Sequence, residues 1–228
     1  MTQSLVMACS TCYSAAETQF SIDRAERDLQ RYLHRGADRI TRILLTELRR
    51  WPLRGKELLD IGGGIGVVGW ELADAGVAST TLVEASPAFI DIARRQVERR
   101  SVPQPTEFVL GDFTLVAGMV READVVTLDR VVCCYADAEA LLGAAAKHTR
   151  ELLAFTYPRD CWYVRVITSF QNLMRRMKGN GFRTFVHSPQ RMSSVLEGAG
   201  FVRYSTRGTL AWKADLYRRE TFLAQAAR

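Results

Sequence analysis

Glu57-Leu-Leu-Asp-Ile-Gly-Gly-Gly-Ile-Gly66 decides how this chain folds. A short apolar strand runs into a turn too glycine-rich for side chains, and a helical pattern expected over residues 65–75 follows directly. A strand emptying into such a turn brings bare backbone N–H groups and a helix N-terminus close to a ligand. Twenty-two residues beyond Gly62, a second apolar strand, Thr80-Thr-Leu-Val, ends in Glu84. Glycine turn, helix, strand and terminal carboxylate describe a mononucleotide-binding half of a doubly wound sheet, with the carboxylate placed for ribose hydroxyls. An adenosine-containing cofactor is the ligand this arrangement expects.

Strands and helices keep alternating downstream. Ser86-Pro87 opens a helix to residue 99, Glu107 to Leu110 reads as a strand, and Ala123 to Leu128 as another. A helix over 137–149 and a strand from Glu151 to Tyr157 follow. This rhythm predicts an α/β, Rossmann-like, doubly wound parallel sheet with right-handed crossovers. Two strands, about 201–207 and 210–218, are joined through Arg207-Gly208-Thr209 and predict an antiparallel C-terminal hairpin, the last part of a seven-stranded sheet.

Two additions surround that core. Ahead of the sheet, one helix begins at Ser21 and is interrupted at Gly36; a second ends at Pro52. Residues 1–52 are thus an N-terminal arm with lid helices, and 53–228 form the main domain. After the fifth strand, 160–187 is an inserted lid segment. Its helix, Cys161 to Lys178, sets Trp162, Val166, Phe170, Leu173, Met174 and Met177 on one face, with Arg165, Arg175, Arg176 and Lys178 opposite. Such a stripe packs in a core, roofs an apolar acceptor or touches a membrane surface. A short strand is expected over 182–187, before the helix opened by Ser188-Pro189.

Composition narrows the function classes. The 228 residues are 47% hydrophobic, enough for a sizeable core, and contain no apolar run of the roughly 18 to 20 residues that a membrane span needs. The N-terminus lacks the features of a secretory signal, and Cys9, Cys12, Cys133, Cys134 and Cys161 are odd in number, so reduced thiols in the cytoplasm are expected. The net charge of +6 is spread over helices rather than gathered in a basic block, which argues against nucleic acid as the partner.

The order of motifs resembles the class I S-adenosylmethionine-dependent methyltransferases over roughly residues 57–218. The C-terminal half is similar in layout to the magnesium-protoporphyrin O-methyltransferase branch, through the helix after strand five, His187-Ser-Pro, and the ending Val-Leu-Glu-Gly-Ala-Gly-Phe201. The resemblance implies S-adenosylmethionine as cofactor and a small-molecule methyl acceptor, with oxygen ahead of nitrogen. It implies that Asp60 orients the glycine turn and meets the methionine end of the cofactor, while Gly62, Gly63, Gly64 and Gly66 let backbone pass close to it. Glu84, followed by Ala85, would accept the ribose hydroxyls. Asp112 would accept from the adenine amino group, Phe113 would pack on the base, and Asp129 and Arg130 would lie beside the methyl group. Tyr32, Arg31 and Arg35 would reach the cofactor carboxylate from the lid.

Competing readings rest on named residues. Gly64-x-Gly66-x-x-Gly69, with Glu84 twenty residues beyond Gly64, also satisfies the pattern of a nicotinamide-dependent oxidoreductase. Asp60, Gly111-Asp-Phe113 and the closing hairpin favour the methyltransferase. The chain leaves strand four as Leu128-Asp-Arg-Val-Val-Cys133, without the prolines of enzymes acting on adenine amino groups. An RNA or protein methyltransferase remains the alternative within the class. A proton acceptor for transfer is sought among His187, Tyr135, Tyr163 and Tyr32, and His148 reads as structural at a helix end. Cys133-Cys134, joined by Cys9 and Cys12 from the arm, would bind a soft metal only if four thiolates converged; as small buried hydrophobes they need no metal, and none is expected.

Overall fold

The computed structural model describes residues 20–220. Cys9 and Cys12 lie outside the described residues. The seven strands are β1 (Glu57–Ile61), β2 (Ser79–Glu84), β3 (Thr106–Leu110), β4 (Ala123–Leu128), β5 (Thr149–Pro158), β6 (Phe201–Gly208) and β7 (Trp212–Arg219). They form one sheet in the order β3-β2-β1-β4-β5-β7-β6. β1 pairs in parallel with both β2 and β4, setting Asp60 between Leu82 and Thr127. β7 runs antiparallel to β5 and β6, so the expected closing hairpin is present.

Helices α1 (Ile22–Arg35) and α2 (Arg39–Leu48) precede the sheet. Within it lie α3 (Val67–Leu72), α4 (Pro87–Arg100), α5 (Phe113–Val116) and α6 (Ala138–Lys147). After β5 come α7 (Trp162–Met177) and α8 (Pro189–Gly198). Successive strand residues feed opposite layers, as the two-residue period of a strand requires. Leu59, Val126 and Leu153 pack towards α6 and α8, with Leu141, Leu142 and Leu196. Leu58, Val125 and Leu152 pack towards α2 and α3, with Leu44, Leu48 and Leu72. Ala25 and Leu29 join Ile65, Trp70, Phe89 and Ile92, which seats α1 across α3 and α4 at the rim of the glycine turn.

Several boundaries differ from the expected ones; the helix expected over 137–149 ends at Lys147, and Thr149 already opens β5. The helix expected over 65–75 begins at Val67, because Gly66 takes the N-cap at φ 92°, and its last turn, 73–75, tightens to a 3-10 form before Gly76. The second N-terminal helix ends at Leu48, three residues before Trp51. Residues 182–187 form no strand. Their contacts are single ones: Phe185 N–H donates to the Cys133 carbonyl, and Asn172 brackets the backbone of Thr184. β5 offers them no ladder, since it is already paired on both sides, with β4 and β7.

Candidate functional site

The glycine turn is shaped by crowding beneath it. Gly62 has φ 62°, and a Cβ there would stand 2.5 Å from Val131 Cγ2; a Cβ on Gly63 would stand 2.6 Å from Asp60 Oδ2. The turn therefore passes where no side chain fits, and its backbone lies against the Asp60 carboxylate.

Asp60 is completely buried. Its Oδ1 accepts from the Thr127 hydroxyl at 2.7 Å, while Oδ2 has no partner. Burial pushes the Asp60 carboxyl up to about 7; the Thr127 bond opposes this, and the nearby charges of Asp129 and Glu84 add to it. A buried carboxylate oxygen left unsatisfied is costly, and one at a cleft is a ligand position by default.

The neighbouring acids are organised differently. Glu84 Oε2 accepts from Gly64 N–H at 3.0 Å and Oε1 from Ser86 N–H at 2.9 Å, tying the end of β2 to the turn. Burial raises its pKa, and those backbone donors hold it back. Asp112 caps α5: its Oδ1 accepts from Thr114 N–H at 2.9 Å, from the Thr114 hydroxyl at 2.7 Å and from the Tyr135 hydroxyl at 2.9 Å. Asp129 Oδ1 accepts from Thr156 at 2.7 Å and Oδ2 from Thr41 at 2.5 Å. Arg130 holds a left-handed backbone, φ 61°, and its N–H donates to the Thr156 hydroxyl at 2.7 Å.

A crevice of about 620 Å3, open to solvent, runs between the turn and the N-terminal helices. Its floor includes Asp60, Gly62, Gly63, Gly64, Asp129 and Arg130; its roof includes Asp28, Arg31, Tyr32, Asp38 and Thr41. Two contacts latch roof to floor: Thr41 to Asp129, and Arg130 to Asp38 at 2.6 Å. Beyond Gly64, the Phe20 ring packs against Phe89 and Phe182, and its carbonyl accepts from the Ser86 hydroxyl. Glu84, Ala85 and Asp112 lie on that side rather than on the crevice wall.

Other expected site residues fall elsewhere. Phe113 has its ring in the core, edge-on to His148, so only its backbone is available to a ligand. Arg35, one turn beyond Arg31 and Tyr32, is exposed at the end of α1 and does not line the crevice. Gly66 is covered by the Trp70 indole. The Tyr32 hydroxyl donates to Glu71 at 2.9 Å, and burial together with that carboxylate pushes its pKa up to about 12. The Tyr163 hydroxyl donates to the Leu210 carbonyl in the β6–β7 turn, two strands from β4. Tyr135 is held protonated, chiefly by burial and then by Asp112. His187 Nε2 lies 2.9 Å from the Tyr135 carbonyl, an acceptor, so Nε2 carries the proton and Nδ1 is the basic nitrogen. Among the described residues no group of three or more His, Cys, Asp or Glu side chains could hold a metal ion. Thr41, Thr127 and Thr156, absent from the expected set, are the hydroxyls that organise the acids; for Thr127 and Thr156, threonine within an apolar strand was the available signal, while Thr41 lies in α2.

Residues 58–152 match the family described as "Methyltransferase domain". This stretch is a methyltransferase domain. The fold is that of the class I enzymes, and two of the similar structures were solved with SAH or SAM bound. Magnesium protoporphyrin IX methyltransferase from Synechocystis PCC 6803, solved with bound SAH, superposes with a TM-score of 0.64 at 18% identity, over 79% of this chain and 81% of that one. An O-methyltransferase family protein from Burkholderia thailandensis gives 0.68 at 16% identity, over 89% and 62%. A tRNA U34 carboxymethyltransferase from Chromohalobacter salexigens is 47% identical over 38 residues, which is 17% of this chain and 11% of the relative's length. The residues present fit the cofactor: the unpartnered Asp60 Oδ2 and the side-chain-free passage over Gly62 and Gly63 offer an acceptor and a close backbone approach.

Proposed function

We propose that this methyltransferase domain acts on a small-molecule acceptor, with oxygen as the receiving atom ahead of nitrogen. The observation that carries the reading is the roof. α1 and α2, latched by Thr41–Asp129 and Asp38–Arg130, roof the crevice over the glycine turn and leave it open to solvent only at its mouth. A roofed crevice suits a compact acceptor, because a macromolecule would need more of the floor exposed. The fold shared with an O-methyltransferase family protein supports oxygen.

When bound, the cofactor supplies an activated methyl group, so the protein's task is to position the acceptor and exclude water. In this reading Asp60 Oδ2 accepts from the methionine end, and Gly62, Gly63, Gly64 and Gly66 keep the turn free of side chains. Glu84 and Ala85 border the ribose. Asp112, with the backbone of Phe113, borders the adenine. Asp129 and Arg130 shape the end where the methyl group leaves, under Tyr32. His187 Nδ1 takes the acceptor's proton, while Tyr135 orients Asp112 through its hydroxyl. Residues 1–52 act as arm and lid to a 53–228 body. Cys133, Cys134 and Cys161 are free thiols, which supports a reducing, cytoplasmic setting. No described helix is long and apolar enough to cross a membrane.

The test is to incubate the protein with S-adenosylmethionine and a panel of carboxylates, phenols and amines, measuring S-adenosylhomocysteine release by mass spectrometry. Release with an oxygen acceptor, falling roughly 100-fold in His187→Gln with unchanged cofactor affinity, is expected. Transfer only to amines, or only to tRNA as the name of the short curated relative would suggest, refutes the acceptor class.

A further inference from the structure

α7 meets the rest of the protein through its less apolar face. Val164 and Thr168 are its buried residues, while Trp162, Val166, Phe170, Leu173 and Met177 stand in solvent. At about 100° per residue these five fall within roughly 80° of arc, one straight row along the helix. Trp162 is 77% exposed, Phe170 62% and Met177 72%. Ile167 and Met174 widen the row, and exposed Leu210 extends it, because the Tyr163 hydroxyl holds the Leu210 carbonyl beside the start of α7. The row runs about 22 Å at the helical rise of about 1.5 Å per residue. Soluble proteins rarely leave a contiguous apolar surface of this kind bare unless something binds it.

Charge identifies what binds. Residues 159–183 carry six basic side chains against the single acid Asp160, a net +5 in a chain whose net charge is +6. Arg165 pairs with Asp160 at 2.5 Å. Arg175 is held by Asn172, Thr184 and the Phe182 ring. Arg176, Lys178 and Arg183 have no acidic partner among the described residues. On the helix, Arg165 and Arg176 fall along one edge of the apolar row and Lys178 along the other. A second copy would set +5 against +5 across the contact. An anionic lipid surface neutralises the charge and takes the apolar row at once.

We propose that α7 is an interfacial helix. It lies in the headgroup region of an anionic bilayer, with the row from Trp162 to Met177 inserted and the arginine and lysine stems reaching back to phosphates. None of its residues lines the cofactor crevice, so this surface is separate from the site and does not depend on the acceptor assigned above. The segment after α7 connects the two, since Phe182 packs on Phe20 at the rim. Lipid docking therefore brings the crevice mouth close to the bilayer.

The full chain is sedimented with vesicles of phosphatidylcholine alone, and with vesicles in which about a quarter is phosphatidylglycerol, at low and raised salt. The expected result is binding to the anionic vesicles, weakened by salt. Phe170→Glu should reduce it at least roughly tenfold, and Arg176→Glu with Lys178→Glu by a similar factor. All three positions face solvent, so circular dichroism and cofactor affinity should match the wild type. Three results overturn the proposal: no sedimentation with anionic vesicles, binding that Phe170→Glu leaves unchanged, or a solution dimer that Phe170→Glu splits into monomers.

Discussion

Asp60→Asn should stabilise the ligand-free protein at high pH while weakening its hold on the cofactor. The Asp60 carboxyl is raised from 3.8 to about 7 by burial, so its ionisation opposes folding. A raised carboxylate contributes stability fully below its unfolded pKa and loses it as pH climbs through the folded value. Three units at about 1.4 kcal/mol each make the full loss roughly 4 kcal/mol, of which about 2 to 3 kcal/mol falls between about pH 5 and pH 8. Asparagine does not titrate there, so its stability curve lacks that slope. In a domain of this size 1 kcal/mol moves Tm by about 2 to 4 °C. Calorimetry of both proteins without ligand should show wild type losing roughly 5 to 10 °C relative to Asp60→Asn over that pH span. Asparagine can still accept from Thr127 but brings an amide N–H2 to the place of Oδ2, and titration with S-adenosylhomocysteine should show affinity reduced at least roughly tenfold. Parallel Tm curves for the two proteins would refute the reasoning, since they would mean that Asp60 is solvated or permanently protonated.

Thr156→Val removes the hydroxyl that accepts from Arg130 N–H and donates to Asp129. Leaving those partners unpaired should cost about 1 to 3 kcal/mol, measured by urea unfolding, and should lower kcat as Arg130 leaves its left-handed backbone. Gly62→Ala sets a methyl group 2.5 Å from Val131 Cγ2 at φ 62°. Cofactor affinity should fall, and Val131→Ala in the same chain should recover only part of the loss, because it relieves the contact but not the backbone strain of about 1 kcal/mol.

The strand framework was legible because it is local. Glu57–Ile61 and Ala123–Leu128 are short apolar runs bounded by turn residues, and both strands occupy the expected positions. The acids at the strand ends were legible for the same reason. The hydroxyls that hold them were not: Thr127 and Thr156 sit on different strands from Asp60 and, in the case of Thr156, from Asp129, and pairing across a sheet is a tertiary fact. Phe113 shows the opposite failure, since its closeness in sequence to Asp112 suggested a base contact, yet α5 turns the ring into the core. Helical period displayed the α7 stripe but left open which face docks, and the small pair Val164 and Thr168 took the inner side.

The four acids share an origin and divide a task. Asp112, Glu84, Asp60 and Asp129 stand at the carboxyl ends of β3, β2, β1 and β4, which are neighbours in the sheet in that order. At a strand spacing of about 4.8 Å the row spans roughly 14 Å, a reach suited to an extended nucleoside joined to an amino acid. Glu84 and Asp129 spend both oxygens on the protein. Asp60 and Asp112 concentrate their partners on Oδ1 alone. The first pair therefore fixes the floor and the latch, and the second keeps an acceptor oxygen free at β1 and at β3. Those two oxygens stand two strand spacings apart, with Glu84, both of whose oxygens are occupied, between them. The energetic cost falls on Asp60, the buried member, which is why its titration is the most direct probe of whether the row exists to bind that ligand.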